Sequence, residues 1–238
     1  MMSDTAVILA GGLGTRLHPY TVTIPKPLVP IGRYSILEVL IRQLKHFGFN
    51  KIIITVNHQA ELIESYFRDG TQYSVDITYS RESKRLGTMG PLKGIGGLPP
   101  EFLVANGDIL TDLDFREFAD NHNSSQTLLT VGTYKKTHSV AYGVIESNSE
   151  GKIVGFEEKP NLVIDVSMGI YMMNRDILTY FAEDEFYGFD DLLLELISEK
   201  KTVLTYQHNG YWRDLGTPDD YQLANDEFPE MEECLIRG

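Results

Sequence analysis

The 238-residue chain is short of cysteine, of basic charge and of long apolar runs, and each shortage narrows what it can be. A single cysteine, Cys234, cannot close an internal disulfide, so a reducing, cytoplasmic setting is expected. Lysine and arginine number 21 against 34 aspartates and glutamates, a formal net charge of −13. That balance argues against nucleic acid or an anionic membrane as a partner. An anionic small ligand would have to be held by a few local cations against the field of the whole chain. No apolar stretch reaches the length of a membrane span. The opening "MMSDTAVILA" has no basic region before its short apolar run, so a secretory leader is not expected. Internal repeats, low-complexity segments and linkers are also lacking. One domain over residues 1–238 is the expectation, with a 42% hydrophobic fraction sufficient to build its core.

What is present is alternation. "TAVILA" (5–10), "KIIITVN" (51–57), "VDITYS" (75–80) and "EFLVAN" (101–106) are short apolar runs that read as buried strands. Between the first two, "SILEVLIRQLKHFG" (35–48) opens with Ser35 and Glu38 at capping-box spacing, keeps a helical period and stops at Gly48. "AELIESYFRDG" (60–70) reads as a second helix closed by Gly70. Strands separated by helices imply right-handed crossovers and a Rossmann-like, mainly parallel sheet flanked by helices. After about residue 126 the pattern changes: "TLLTVGTY", "YGVIES" and "KIVGFEE" read as antiparallel strands, with a hairpin turn at 148–151. "VSMGIYMM" (166–173) is a further strand and "DDLLLELISEK" (190–200) a helix. A last helix opens at "GTPDDY", with Thr217 at the cap, Pro218 in the first turn and acids after it. The expected class is therefore α/β, with a mixed, antiparallel part in the second half.

Ligands of such sheets collect at the carboxyl ends of the strands. "GGLGTR" follows the first strand there, and Asp108 follows the fourth. The glycines let a backbone approach a ligand and offer N–H groups to anionic oxygens. Two familiar phosphate loops do not fit. A P-loop needs lysine and then serine or threonine after its last glycine, whereas Thr15, Arg16 and Leu17 follow Gly14. The dinucleotide fingerprint would start at Gly12 and Gly14, but its third glycine falls on Leu17.

The longer stretch "LAGGLGTRLHPYTVTIPKPLVPI" closely resembles the signature of the sugar-1-phosphate nucleotidyltransferases. "LGT" (86–88), "NGD" (106–108), "YGV" (142–144), "FEEKP" (156–160), "MGIY" (168–171) and "WRDLGTPDDY" (212–221) follow in the order of that family. The branch that uses mannose- or heptose-1-phosphate and GTP is the nearest in pattern. The resemblance covers residues from about 5 to 225 and implies condensation of a nucleoside triphosphate with a sugar 1-phosphate, releasing pyrophosphate. It implies a nucleotide-binding half, about 1–125, and a sugar-phosphate-binding half, about 126–228.

Residue by residue, it places Leu9, Ala10, Gly11, Gly12, Gly14, Thr15, Arg16, Glu82, Gly87 and Thr88 around the nucleotide. Arg16 would grip the leaving pyrophosphate, and Lys26, set between two prolines, would offer an amine from a well-defined anchor. Asn106, Tyr142, Gly143, Glu158, Lys159 and Ser167 would serve the sugar phosphate, Lys159 by holding the phosphate itself. Ser167 stands where related chains carry asparagine, which leaves the sugar unassigned. Asp108 and Asp214 resemble the family's ligands for Mg2+, for which Mn2+ could substitute. Arg16, Lys26 and Asp108 form the expected catalytic set. With two anions to bring together, catalysis would rest on positioning and charge neutralisation, without a covalent nucleophile.

Glu82, five residues before Gly87, falls in the family's base pocket. A carboxylate can accept from both donors of guanine, which favours GTP, whereas uracil or thymine suits an amide better. A uridylyl- or thymidylyltransferase stays open. Another class also stays open: Asp112 and Asp114 form a D-x-D of the kind used by metal-dependent glycosyltransferases, although Asp114 also reads as a helix cap. A non-catalytic nucleotide-sugar sensor is a third reading, disfavoured by the intact Arg16, Lys26, Asp108 and Asp214. The C-terminal "EFPEMEECLIRG" is too short for the left-handed β-helix of some relatives, which leaves a homo-oligomer open.

Overall fold

A computed structural model describes residues 3–236. Met1 and Met2 of the opening segment, and the last two residues of the C-terminal stretch, lie outside the described residues. In chain order the elements are β1 (Thr5–Leu9), β2 (Pro30–Ile31), β3 (Tyr34–Ser35), α1 (Ile36–His46), β4 (Lys51–Val56), α2 (Ala60–Phe67), β5 (Asp76–Arg81) and α3 (Gly90–Lys93). They continue with β6 (Glu101–Asn106), β7 (Ile109–Thr111), α4 (Phe115–Ser125), β8 (Leu129–Ser139), β9 (Val144–Ser147), β10 (Ile153–Glu157) and β11 (Asn161–Asn174). The last four are α5 (Phe189–Ser198), β12 (Val203–His208), β13 (Trp212–Asp214) and α6 (Pro218–Leu235).

Seven strands form one mainly parallel sheet in the order β12-β8-β11-β6-β1-β4-β5. β1 runs between two parallel partners, with Val7 beside Ile53 of β4 and Val104 of β6, and is buried on both faces by the layers packed against the sheet. Ala6 and Ile8 pack with α1, α2 and α4 on one face; Val7 packs with Met89, Leu92, Leu192 and Leu196 on the other. The alternation of a strand thus feeds two helical layers. The chain moves outward from β1 through β4 to β5, then returns to the opposite side of β1 as β6. That reversal makes a switch point between β1 and β6, where the divergence of the connecting segments opens a crevice. Among the described residues no helix is long and apolar enough to cross a membrane.

Local signals act as their chemistry requires, with some differences. Ser35 accepts from the Glu38 N–H at 3.2 Å, but Glu38 turns its carboxylate to Arg42 and Tyr66, so only half of the capping box forms. The turn at 148–151 is present, closed by Gly151 N–H to the Asn148 carbonyl at 3.0 Å, and joins β9 to β10. The sequence reading did not anticipate β12, a parallel edge strand on β8, or the two-stranded ribbon of β7 with β13. β8 also runs five residues beyond Tyr134, pairing with the first part of β11 from Tyr134–Val166 to Ser139–Asn161. Outside the sheet this ribbon and the β9–β10 hairpin form an arm with its apolar side chains largely in solvent, Phe156 and Val163 among them.

Candidate functional site

Gly107 N–H donates to the Leu9 carbonyl at 2.9 Å, tying the carboxyl ends of β1 and β6 together at the switch point. The glycine loop rises from that tie. Gly14 has φ +64°, and a Cβ there would lie 3.1 Å from Thr21 Cγ2 and 3.2 Å from Lys26 Cβ, so this position requires glycine twice over. Its carbonyl accepts from Thr21 Oγ1 at 2.7 Å and from Leu17 N–H at 2.9 Å, which fixes the turn. Among the described residues the N–H groups of Gly12, Leu13 and Gly14 donate to no protein group. They are left for a ligand.

The loop divides a cleft into two connected cavities of about 250 and 360 Å3. The first is lined by Gly12, Gly14, Thr15, Arg16, Lys26 and Asp108, among others. The second takes Gly11, Glu82, Gly87, Thr88 and Asn106. Leu9, Gly12, Leu13, Arg85 and Asp108 border both. Every residue that the sequence pattern expects around a nucleotide therefore sits on this one cleft.

Arg16, Lys26 and Asp108 reach the first cavity by separate routes, and Asp214 stands beside Asp108. Lys26 opens a short 3-10 turn after Pro25, is only 8% exposed, and forms an ion pair with Asp108. The prolines on either side of Lys26 hold the backbone that aims its amine. Asp108 directly precedes β7 and Asp214 ends β13; the ribbon pairs Asp214 with Ile109, and Leu215 N–H donates to the Asp108 carbonyl at 3.1 Å. Trp212 anchors this ribbon by donating from Nε1 to the Met168 carbonyl at 3.1 Å and packing on Tyr134. Arg213 is engaged in a two-pronged pair with Glu227, leaving its neighbour Asp214 to the site. Burial, and then the charge of Asp108, push the Asp214 carboxyl up from its ordinary range, while Lys26 and Arg16 oppose that rise. A Cβ on Gly216 would meet Asp214 Oδ2 at 3.1 Å and Arg16 Nη1 at 3.6 Å, so Arg16 lies over the same acid.

Asp108 and Asp214 are neighbouring carboxylates, a hard-oxygen pair of the kind that fits Mg2+ or Mn2+. Burial raises the Asp214 carboxyl most and the charge of Asp108 raises it further, and a cation beside both would relieve that second effect. Among the described residues no cluster of three or more His, Cys, Asp or Glu comes together, so phosphate oxygens and water would complete the shell.

Glu82 ends β5's edge of the second cavity, half-buried, with Oε1 2.5 Å from where a Gly11 Cβ would stand. Burial pushes its carboxyl up to about 7, although the Leu86 N–H lowers it somewhat. Arg81, next to it in sequence, is committed to Glu61 and Glu64. The expected sugar-phosphate set is only partly brought here. Asn106 lines the second cavity and packs under Gly169, whose φ of +72° marks the register shift in β11 between Ser167 and Tyr171. Ser167 spends its hydroxyl on Tyr171 and the Gly169 N–H. Tyr142, Gly143, Glu158 and Lys159 line neither cavity: they belong to the solvated arm, with Tyr142 78% exposed. Lys159, with φ +48°, reaches only Glu158 among the described residues, at 4.0 Å.

Both acids of the D-x-D are already occupied. Asp112 accepts from Tyr211 N–H at 2.7 Å and faces His208 Nε2 at 2.8 Å. Asp114 caps α4 by accepting from Arg116 and Glu117 N–H groups. Neither borders the cleft, which removes the geometric ground for a glycosyltransferase reading. His58 is exposed and lies off the cleft. The sequence reading also missed Arg85, Asn57, Phe186 and Thr55, the last with a buried Oγ1 that has no partner among the described residues. A chain-wide excess of acid made Arg85 the cation to look for, since it directly precedes "LGT".

Residues 5–230 match the family model described as nucleotidyl transferase. A UTP–glucose-1-phosphate uridylyltransferase of Synechocystis sp. is 35% identical over 239 residues, which is 92% of this chain and 62% of that protein. A mannose-1-phosphate guanyltransferase of Saccharomyces cerevisiae is 31% identical over 224 residues, 90% of this chain and 62% of that one. The chain thus spans 62% of the length of these curated relatives. Among solved structures, HddC from Yersinia pseudotuberculosis complexed with GMP-PN superposes with a TM-score of 0.71 at 26% identity, covering 96% of this chain and 100% of that one.

Proposed function

The chain belongs to the nucleotidyl transferase family, and from that premise we propose that it condenses a nucleoside triphosphate, GTP by preference, with a sugar 1-phosphate to give an NDP-sugar and pyrophosphate. One observation carries this reading: the free N–H groups of the glycine loop, Arg16, Lys26 and Asp108 all open onto a single cleft at the switch point of the sheet, with Asp214 close enough to Asp108 to feel its charge. That assembly suits the α-, β- and γ-phosphates of one nucleotide.

In the reaction, a phosphate oxygen of the sugar 1-phosphate forms a bond to the α-phosphorus while the bond from that phosphorus to the β-phosphate oxygen breaks. The departing pyrophosphate takes the electron pair. The loop's N–H groups hold the phosphate tail in line, and the Arg16 fork meets charge as it grows on the leaving group. Lys26, buried and paired with Asp108, neutralises the two anions at the point where they approach. A divalent cation held by Asp108 and Asp214 would supply further charge neutralisation on phosphate oxygens. No step requires a protein nucleophile.

Arm residues Tyr142, Gly143, Glu158 and Lys159 are proposed for the sugar phosphate, which assigns roughly residues 126–228 to that substrate and the first 125 to the nucleotide. Base choice rests on Glu82. Ionised, it accepts from both N1–H and the amine of guanine; the relative that binds GMP-PN supports this reading. Protonated, with its carboxyl pushed up to about 7, it offers one donor and one acceptor, the pattern of an amide. That property keeps UTP or dTTP as the second reading. A pyrophosphate-release screen crossing GTP, UTP, dTTP and ATP with glucose-, mannose-, N-acetylglucosamine- and heptose-1-phosphates tests both. Turnover with GTP above the others is expected, and no release from any pair would overturn the reaction.

A further inference from the structure

Arg85 borders both cavities and belongs to none of the sequence elements that assign the rest of the cleft. Its guanidinium has no hydrogen bond or ion pair among the described residues, whereas Arg81, four residues earlier, is held by Glu61 and Glu64. The backbone beneath Arg85 is nonetheless fixed. Leu86, its neighbour, is buried and its carbonyl accepts from Tyr187 N–H at 2.9 Å. Gly87, at φ +78°, passes so near the Tyr187 carbonyl that a Cβ would stand 2.6 Å from it. Met89 and Gly90 donate to that same carbonyl at 3.0 and 3.2 Å. A tethered loop therefore presents an uncommitted arginine at the junction of the two cavities.

The charge balance gives that arginine a task. On the linings of the two cavities Arg16 and Lys26 are set against Asp108 and, when ionised, Glu82, and Asp214 adds its charge beside Asp108. A polyanionic phosphate tail entering this set meets no surplus of positive side chains, inside a chain whose net charge is already −13. Arg85 is the remaining cationic side chain on the cleft lining, and the second cavity has no other. We infer that Arg85 is a triphosphate-binding residue, its guanidinium closing on the phosphate tail beside Gly12 and Leu13 where the two cavities meet. An arginine fork spans two phosphate oxygens with paired, coplanar N–H donors, which a lysine ammonium, a point charge, does not reproduce.

This inference rests on the nucleotidyl transfer proposed above, but its test does not need turnover. Inorganic tripolyphosphate and unphosphorylated guanosine are titrated calorimetrically into the full chain and into Arg85→Ala, Arg85→Lys and Lys84→Ala. Lys84 removes the same charge one residue away and lies off both cavities. Arg85→Ala is expected to weaken tripolyphosphate binding about tenfold or more, with a shallower salt dependence and guanosine affinity unchanged. Arg85→Lys recovers part of the loss, and Lys84→Ala stays within about twofold of the parent. Equal effects of Arg85→Ala and Lys84→Ala, a change below twofold for Arg85→Ala, or no tripolyphosphate binding by the parent would each overturn the assignment. Tight tripolyphosphate binding that depends on Arg85, in a chain that releases no pyrophosphate in the substrate screen, would sink the reaction and leave Arg85 standing.

Discussion

Glu82 holds its carboxyl half-buried against Gly11 without a cation partner, and two measurable consequences follow from that placement. The folded carboxyl is raised to about 7, so between the ordinary carboxylate range and pH 7 the native state binds more protons than the unfolded chain. Stability then falls as pH rises through that window, because the ionised form is the one that burial penalises. Glu82→Gln is expected to flatten this fall, checked by urea melts at pH 5 and pH 8; an equal slope in both proteins contradicts it. The same variant should shift nucleotide preference from GTP toward UTP or dTTP by about tenfold, read in kcat/KM, and the parent's GTP preference should grow with pH across 7. At Asp108, replacement by asparagine removes both the Lys26 partner and one arm of the acidic pair. Cation-dependent pyrophosphate release should drop at least about 100-fold while near-UV circular dichroism is retained.

Among the elements, the bulge in β11 is the least expected connection to the site. Gly169 lets the strand shift register, and Asn106, at the end of β6, packs into the space a side chain would fill. A Cβ there would lie 2.8 Å from Asn106 Cγ, on a backbone already in the left-handed region. Gly169→Ala should therefore cost about 1–3 kcal/mol in chemical denaturation and raise KM for the sugar phosphate, because Asn106 must move. A variant of parental stability and KM would show that the bulge tolerates a side chain. The β7–β13 ribbon has a comparable job: three residue pairs bring Asp108 and Asp214 together from positions 106 residues apart. Strands as short as these give little period-2 signal in the sequence, whereas β12 carries the β-branched and aromatic residues of a strand.

For the molecule as a whole, the glycine loop after β1, Asp108 after β6 and Glu82 after β5 lie at the carboxyl ends of strands of one sheet, so nucleotide binding should tighten the entire fold rather than a single loop. With GTP at about 100 times its dissociation constant, linkage gives about 2.7 kcal/mol of stabilisation, or a rise of roughly 5–10 °C in melting temperature for a chain of this size. Scanning calorimetry with GTP, UTP and dTTP at equal concentration checks both the rise and its order. No rise with any nucleotide would argue against a preformed site.

Taken alone, the order of residues determined the alternation of buried strands and helices and the place of the glycine loop after β1; that Arg16, Lys26, Asp108 and Asp214 act as a chemical set is what its resemblance to the nucleotidyltransferases implies. These are local: apolar period, caps, glycine where φ is positive, and proline beside lysine act within a few residues. Only the tertiary structure decided which acids meet. It spent Asp112 and Asp114 on a histidine, a backbone amide and a helix cap, gave Arg213 to Glu227, and left Asp214 facing Asp108. It set Arg85 over the junction of the cavities and put the arm residues in solvent. Such outcomes depend on which distant groups compete for the same charge or hydrogen bond, and that competition exists only once the sheet has brought them within reach.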